Sequence, residues 1–102
     1  MHNIVLAADH NGIDLKEKIK DYLIKTSIFN PIDIGPFDTG KVDYPDYAHQ
    51  ASTIVASNDV QLGILICGSG IGMSIVANKV TGIRAALVHN TQTAPLTREH
   101  NN

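Results

Sequence analysis

The sequence predicts an α/β fold, a three-layer sandwich in which helices cover both faces of a parallel sheet. Short apolar runs alternate with longer stretches of helical periodicity, the pattern of strand and helix units in turn. Leu62, Ile64, Leu65 and Ile66 form a continuous apolar run, which suits a central parallel strand because both of its faces are buried. A glycine-rich turn follows that run at once, as expected where a strand hands over to a ligand-facing helix.

Residues 4–8 predict a buried strand, closed by a turn at Asp9, His10, Asn11 and Gly12. A helix follows with Leu15, Ile19, Tyr22 and Leu23 on one apolar face, at spacings of i, i+4, i+7 and i+8. Ile32 and Ile34 mark a second strand with Pro31 at its start, where a missing N–H does least harm, and Gly35-Pro36 ends it. The polar residues 37–43 form a surface loop. Pro45 suits the first turn of a helix that runs to about residue 57, with Tyr47, Ala51, Ile54 and Val55 facing the core. The third strand covers residues 62–67, the next helix residues 71–80 with Gly82 as its stop, and residues 83–88 a fourth strand. A last short helix over residues 91–98 is limited by Pro95 to little more than its first turn. The whole is a Rossmann-like arrangement that stops abruptly, so the expectation is a single domain truncated at its C-terminus.

Composition narrows the function. With 102 residues there is room for one core, and 43% hydrophobic against 18% charged residues describes a folding chain. A formal charge of -2 lacks the positive field that holds a phosphate backbone, so nucleic acid is not an expected partner. One cysteine makes no internal disulfide, and no Cys/His cluster has zinc spacing. The N-terminus has no signal-like apolar region or membrane span, so the expectation is a cytoplasmic protein.

Ligands in such sheets bind beyond the carboxyl ends of the strands, where this chain puts Asp9 and His10, then Cys67 with residues 68–72, then His89 and Asn90, with His100 just beyond. Glycine at positions 68, 70 and 72 lets backbone N–H groups point at one anion, and the helix that begins there adds its dipole. The G-x-G-x-G spacing differs from the dinucleotide fingerprint G-x-G-x-x-G, and no Gly-Lys-Ser/Thr follows, so a nucleotide-binding module rests on the turn alone. A plain strand-to-helix turn explains the glycines equally well. Cys67 sits beside these amides, which favour a thiolate, although an unpaired cysteine is often only a small core filler. His10 and His100 are suited to proton transfer near neutral pH, whereas His2 and His49 are read as solvated. Asp9 is read first as a helix cap, and Tyr44 as a loop anchor or a ligand contact.

Several ordered motifs go further. Asp9-His10 with Gly12 and Leu15-Lys16, then Asp43-Tyr44-Pro45-Asp46-Tyr47-Ala48, then the run from Gly63 through Cys67-Gly68-Ser69-Gly70-Ile71-Gly72 to Ser74 stand in sequence. Ala77-Asn78-Lys79, Gly82-Ile83-Arg84-Ala85 and Arg98-Glu99-His100-Asn101 complete them. Over nearly its whole length the chain resembles the type B ribose-5-phosphate isomerases, in the group that also holds galactose-6-phosphate isomerase subunits. The resemblance implies an isomerase of the pentose phosphate pathway that needs no metal or cofactor and moves a proton between C1 and C2 of ribose 5-phosphate and ribulose 5-phosphate. It implies Cys67 as the base, Ser69 with the amides of Gly68, Gly70, Ile71 and Gly72 as the holder of the enediolate oxygens, and His100 as the ring-opening acid. Asp9, His10, Tyr44 and Asn101 would contact the sugar hydroxyls or the phosphate, with His10 nearest the phosphate. A homodimer, or a tetramer, is implied as well. The family's further strand, helix and arginine-bearing tail are absent from these 102 residues, and Gln92 and Pro95 depart from the family pattern. A six-carbon sugar phosphate and a noncatalytic role for the fold are the alternatives.

Overall fold

The computed structural model describes residues 2–38, 40 and 42–102, so Thr39 and Lys41 of the expected surface loop lie outside the described residues. Strand β1 (His2–Ala8) leads into helix α1 (Ile13–Thr26), strand β2 (Phe29–Asp33), helix α2 (Tyr44–Ala56), strand β3 (Leu62–Ile66), helix α3 (Ile71–Asn78) and helix α4 (Thr93–Asn101). The three strands form one parallel sheet in the order β2-β1-β3. Ile4 stands opposite Pro31 on one side and Leu62 on the other. Pro31 lies inside β2 rather than at its start, which is tolerable because β2 is an edge strand.

The continuous apolar run of β1 follows from its place at the sheet's centre. Ile4 and Leu6 enter a core with Leu23, Ile19, Leu62 and Ile64 on the α1 face. Val5 and Ala7 enter a second core with Ala51, Ile54, Val55, Tyr47 and Leu65 on the α2 face. Alternate side chains of one strand thus bind two helical layers, which is the expected three-layer sandwich. Among the described residues no helix is long and apolar enough to cross a membrane.

Four expectations are corrected. On α1, Leu15 and Tyr22 are exposed, while Ile13 and Lys16 are buried beside Leu23. Lys16 is fully buried because its Nζ meets Asp33 Oδ2 at 2.6 Å and Glu17 Oε1 at 3.0 Å and lies 5.0 Å from the centre of the Phe37 ring. The second correction concerns residues 83–88, which form no ladder with β3: the N–H of Ala85 donates to Asn78 Oδ1 and its C=O accepts from Asn78 Nδ2, both at 2.9 Å. Third, α3 stops at Asn78, two residues short, and Gly82 with its φ of +90° lies in the turn beyond. Finally, α4 begins at Thr93, so Pro95 falls in the first turn, where no intrahelical N–H is needed, and the helix reaches Asn101.

Candidate active site

The carboxyl ends of β1 and β3 lie side by side, joined where the Asp9 N–H donates to the Ile66 C=O at 3.0 Å. The turn after β1 is held by Asp9, whose Oδ1 accepts the Asn11 N–H at 2.8 Å, with the Gly12 N–H bonded to the Asp9 C=O at 3.1 Å. Asp9 therefore shapes its own turn and is buried there. Gly12 opens α1 so close to β3 that a Cβ on it would stand 2.7 Å from Ile66 O.

The turn after β3 is organised by its own side chains. Cys67 Sγ accepts the Gly70 N–H at 3.0 Å, and Ser69 Oγ accepts the Ile71 N–H at 3.2 Å. Gly70 has a φ of +80°, a left-handed conformation that a side chain resists, and it is this turn that directs its N–H back at the sulfur. Two of the four amides expected to hold a ligand oxygen, those of Gly70 and Ile71, are thus engaged within the turn. The remaining donors include the Gly72 and Met73 amides in the first turn of α3, for which helix geometry supplies no partner. The Ser69 hydroxyl hydrogen stays free to donate.

A third helix N-terminus arrives from α2. The Tyr44 ring covers Gly72 so closely that a Cβ there would come within 2.7 Å of Tyr44 Cζ, and the Val42 N–H donates to His10 Nδ1 at 3.3 Å. An acceptor at Nδ1 places the neutral ring's proton on Nε2, leaving His10 a donor to offer. The N-termini of α1, α2 and α3 therefore meet at this end of the sheet, each with the positive end of its dipole.

On the other side a groove of about 1240 Å³ runs along β3 and past Cys67, Gly68, Ser69 and Gly70. Its far wall includes residues 83–89, Arg98 and Asn101. Asp9, His10, Tyr44, Cys67, Ser69 and residues 68–72 are thus gathered at one end of the sheet, and Asn101 shares the groove. His100 is exposed on α4 and does not line it. Sequence reasoning overlooked Asn11, whose side chain approaches Gly68 (a Cβ there would be 3.6 Å from Asn11 Nδ2), and Arg98 on the groove wall. The signal for Arg98 was its helical spacing from Asn101, three residues on, which puts both on one face. Among the described residues no group of three or more His, Cys, Asp or Glu could hold a metal ion.

Residues 4–102 match the family model described as Ribose/Galactose Isomerase. A putative sugar phosphate isomerase of Bacillus subtilis is 50% identical over 99 residues, which are 96% of this chain and 66% of that protein. Ribose-5-phosphate isomerase B of Escherichia coli is 43% identical over 101 residues, 99% of this chain and 67% of that one. Among solved structures, the type B ribose 5-phosphate isomerase of Trypanosoma brucei superposes with a TM-score of 0.93 at 47% identity, covering 99% of this chain and 68% of that chain. Ribose-5-phosphate isomerase B of Mycoplasma genitalium, solved with bound ribulose-5-phosphate, superposes with a TM-score of 0.89 at 44% identity, covering 97% and 66%. The chain spans about two thirds of the length of the curated relatives it matches.

Proposed function

The chain belongs to the ribose/galactose isomerase family, and from that premise we propose that it carries the proton-transfer centre of a ribose-5-phosphate isomerase. The observation that bears most weight is the Cys67 sulfur at the end of β3, 3.0 Å from the Gly70 N–H and beside the start of α3. A thiolate there has a hydrogen-bond donor on it and a helix dipole behind it.

In this reading Cys67 Sγ takes the proton from C2 of the open-chain aldose. The C–H electron pair forms the C1–C2 double bond, and the negative charge moves to the C1 oxygen. The thiol returns its proton to C1 as the C1–C2 double bond is lost, while the C2 hydroxyl passes its proton to the C1 oxygen and becomes the ketose carbonyl. The Ser69 hydroxyl and the first-turn amides of α3 bind the enediolate oxygens, stabilising charge that appears only during the reaction. His10, through Nε2–H, and the converging helix N-termini take the phosphate end, with Asp9, Tyr44 and Asn101 placing the hydroxyls. His100 serves as the ring-opening acid, a role that requires the end of α4 to close on the turn. The reading includes a homodimer, no metal and no cofactor. The five-carbon substrate is supported by the relatives' names and by the ribulose-5-phosphate held in the Mycoplasma genitalium protein.

The test is isomerisation of ribose 5-phosphate by purified protein carrying this chain, beside Cys67→Ala. Removing a positioned base is expected to lower turnover by about 10²–10⁴-fold. Turnover that survives Cys67→Ala unchanged, or a protein active only on six-carbon sugar phosphates, overturns the proposal.

A further inference from the structure

Asn78, the last residue of α3, makes more side-chain bonds to backbone than any helix surface position requires. Its Nδ2 donates to the C=O of Ser74 at 3.0 Å, one turn back, and to the C=O of Ala85 at 2.9 Å, while its Oδ1 accepts the Ala85 N–H at 2.9 Å. The paired bonds to Ala85 imitate one rung of a sheet and fasten the 83–88 segment to α3. Two residues further on, Leu87 reaches the catalytic turn. A Cβ on Gly70 would lie only 2.6 Å from Leu87 Cδ1, so the leucine methyl packs directly on the glycine. The N–H of that same glycine is the donor to Cys67 Sγ.

We infer that Asn78 is a positioning residue for the Cys67 thiol, acting through Ala85, Leu87 and the backbone of Gly70. The inference deepens the proposed function, since it rests on Cys67 as the base. Asn78 keeps the 83–88 segment at the distance where Leu87 holds Gly70 in its left-handed turn, and that turn aims the N–H at the sulfur. Neither Asn78 nor Ala85 is buried enough for the clamp to serve as core packing. An acceptor and a donor are both required on the same side chain, which Asn supplies and Asp does not.

Because the chain has a single cysteine, alkylation by iodoacetamide reports on Cys67 alone and does not depend on turnover. In Asn78→Ala the alkylation rate near neutral pH is expected to fall roughly fivefold, the worth of one hydrogen bond. At high pH, where the thiol is ionised in either protein, the rates should coincide. Turnover should fall through kcat with KM little changed. Asn78→Asp, which keeps the acceptor for the Ala85 N–H, should lie between the two, and Leu87→Ala should shift alkylation in the same direction with the clamp intact. These two variants carry the test if Asn78→Ala does not fold. Alkylation curves for folded variants that superpose on the parent's overturn the inference. A shifted curve in a protein that shows no isomerase activity at all upholds the role of Asn78 and overturns the proposed function instead.

Discussion

The first 66 residues and the last 20 are built from similar sequence material and behave differently. Residues 4–8 and 62–66 are apolar runs that pair side by side in a sheet; β1 buries both of its faces, whereas β3, expected at the centre, stands at the sheet's edge along the groove and fully buries only Ile66. Residues 83–88 form a run of nearly the same character, yet pair with no strand, and Leu87 and Val88 remain about 40% exposed. The difference lies in what surrounds each run. β1 has α1 on one face and α2 on the other, so every methyl group it contributes leaves water. The 83–88 segment is bounded by a groove on the β3 side and by α4, which has no buried residue, and its one sheet-like rung goes to Asn78. Parallel strands form where neighbouring elements cover them, so hydrophobicity alone does not produce one.

Perturbing the ion pairs of the first region sharpens this comparison most. Asp33 ends β2 and accepts from Lys16 and Lys20 through Oδ2 and from the Gly35 N–H through Oδ1. Asp33→Ala leaves the Lys16 ammonium buried without its main counter-ion, and urea unfolding should show a loss of about 3–5 kcal/mol. Leu6→Ala, in the core under α1, should cost about 3 kcal/mol by the same measurement, through lost burial and the cavity left behind.

Acid provides a milder probe of the same region. Burial alone would push the Asp33 carboxyl up, but hydrogen bonds from Lys16, the Gly35 N–H and Lys20 outweigh it and hold the group below its ordinary value. Hydrogen bonds from Lys20 and then Lys16 likewise hold Glu17 low. A carboxyl whose folded value is depressed contributes stability above its unfolded value and loses it as pH falls through the folded one. Stability should therefore decline below about pH 4, and less steeply in an Asp33→Asn variant. For Lys20 the sign reverses. Its value is raised by Glu17 and then Asp33, so its contribution is complete below its unfolded value and fades only in strong alkali. The smallest effect belongs to the last region: Leu96→Ala on α4 should change stability by no more than about 0.5 kcal/mol. A loss above 1 kcal/mol there would break the comparison.

Particular residues show how far the sequence could be read. Tyr47, Ala51, Ile54 and Val55 were placed on the core face of α2 from spacing alone and pack there, because that helix has a single apolar stripe against one sheet. The same rule failed on α1. It favoured Leu15 and Tyr22 for the interior and missed Lys16, since periodicity ranks a lysine as a surface residue and has no means of seeing that Asp33 and Phe37 will neutralise and cover it. At the candidate site, Cys67, Ser69 and the glycine turn were legible because they are contiguous. The packing of Tyr44 on Gly72 and the bond from the Val42 N–H to His10 were not, because they join loops distant in sequence.

By itself the sequence determined the alternation of strands and helices, the glycine turn after β3 and the placing of the one cysteine beside it. These are local matters, governed by periodicity and by backbone freedom within a few residues. Only the tertiary structure decided which apolar run becomes a strand, how a lysine is buried, and that Asn78 and Leu87 reach back to the turn that holds Cys67. Each of those depends on a partner far along the chain, and the free energy of burial or of a hydrogen bond exists only once that partner has arrived.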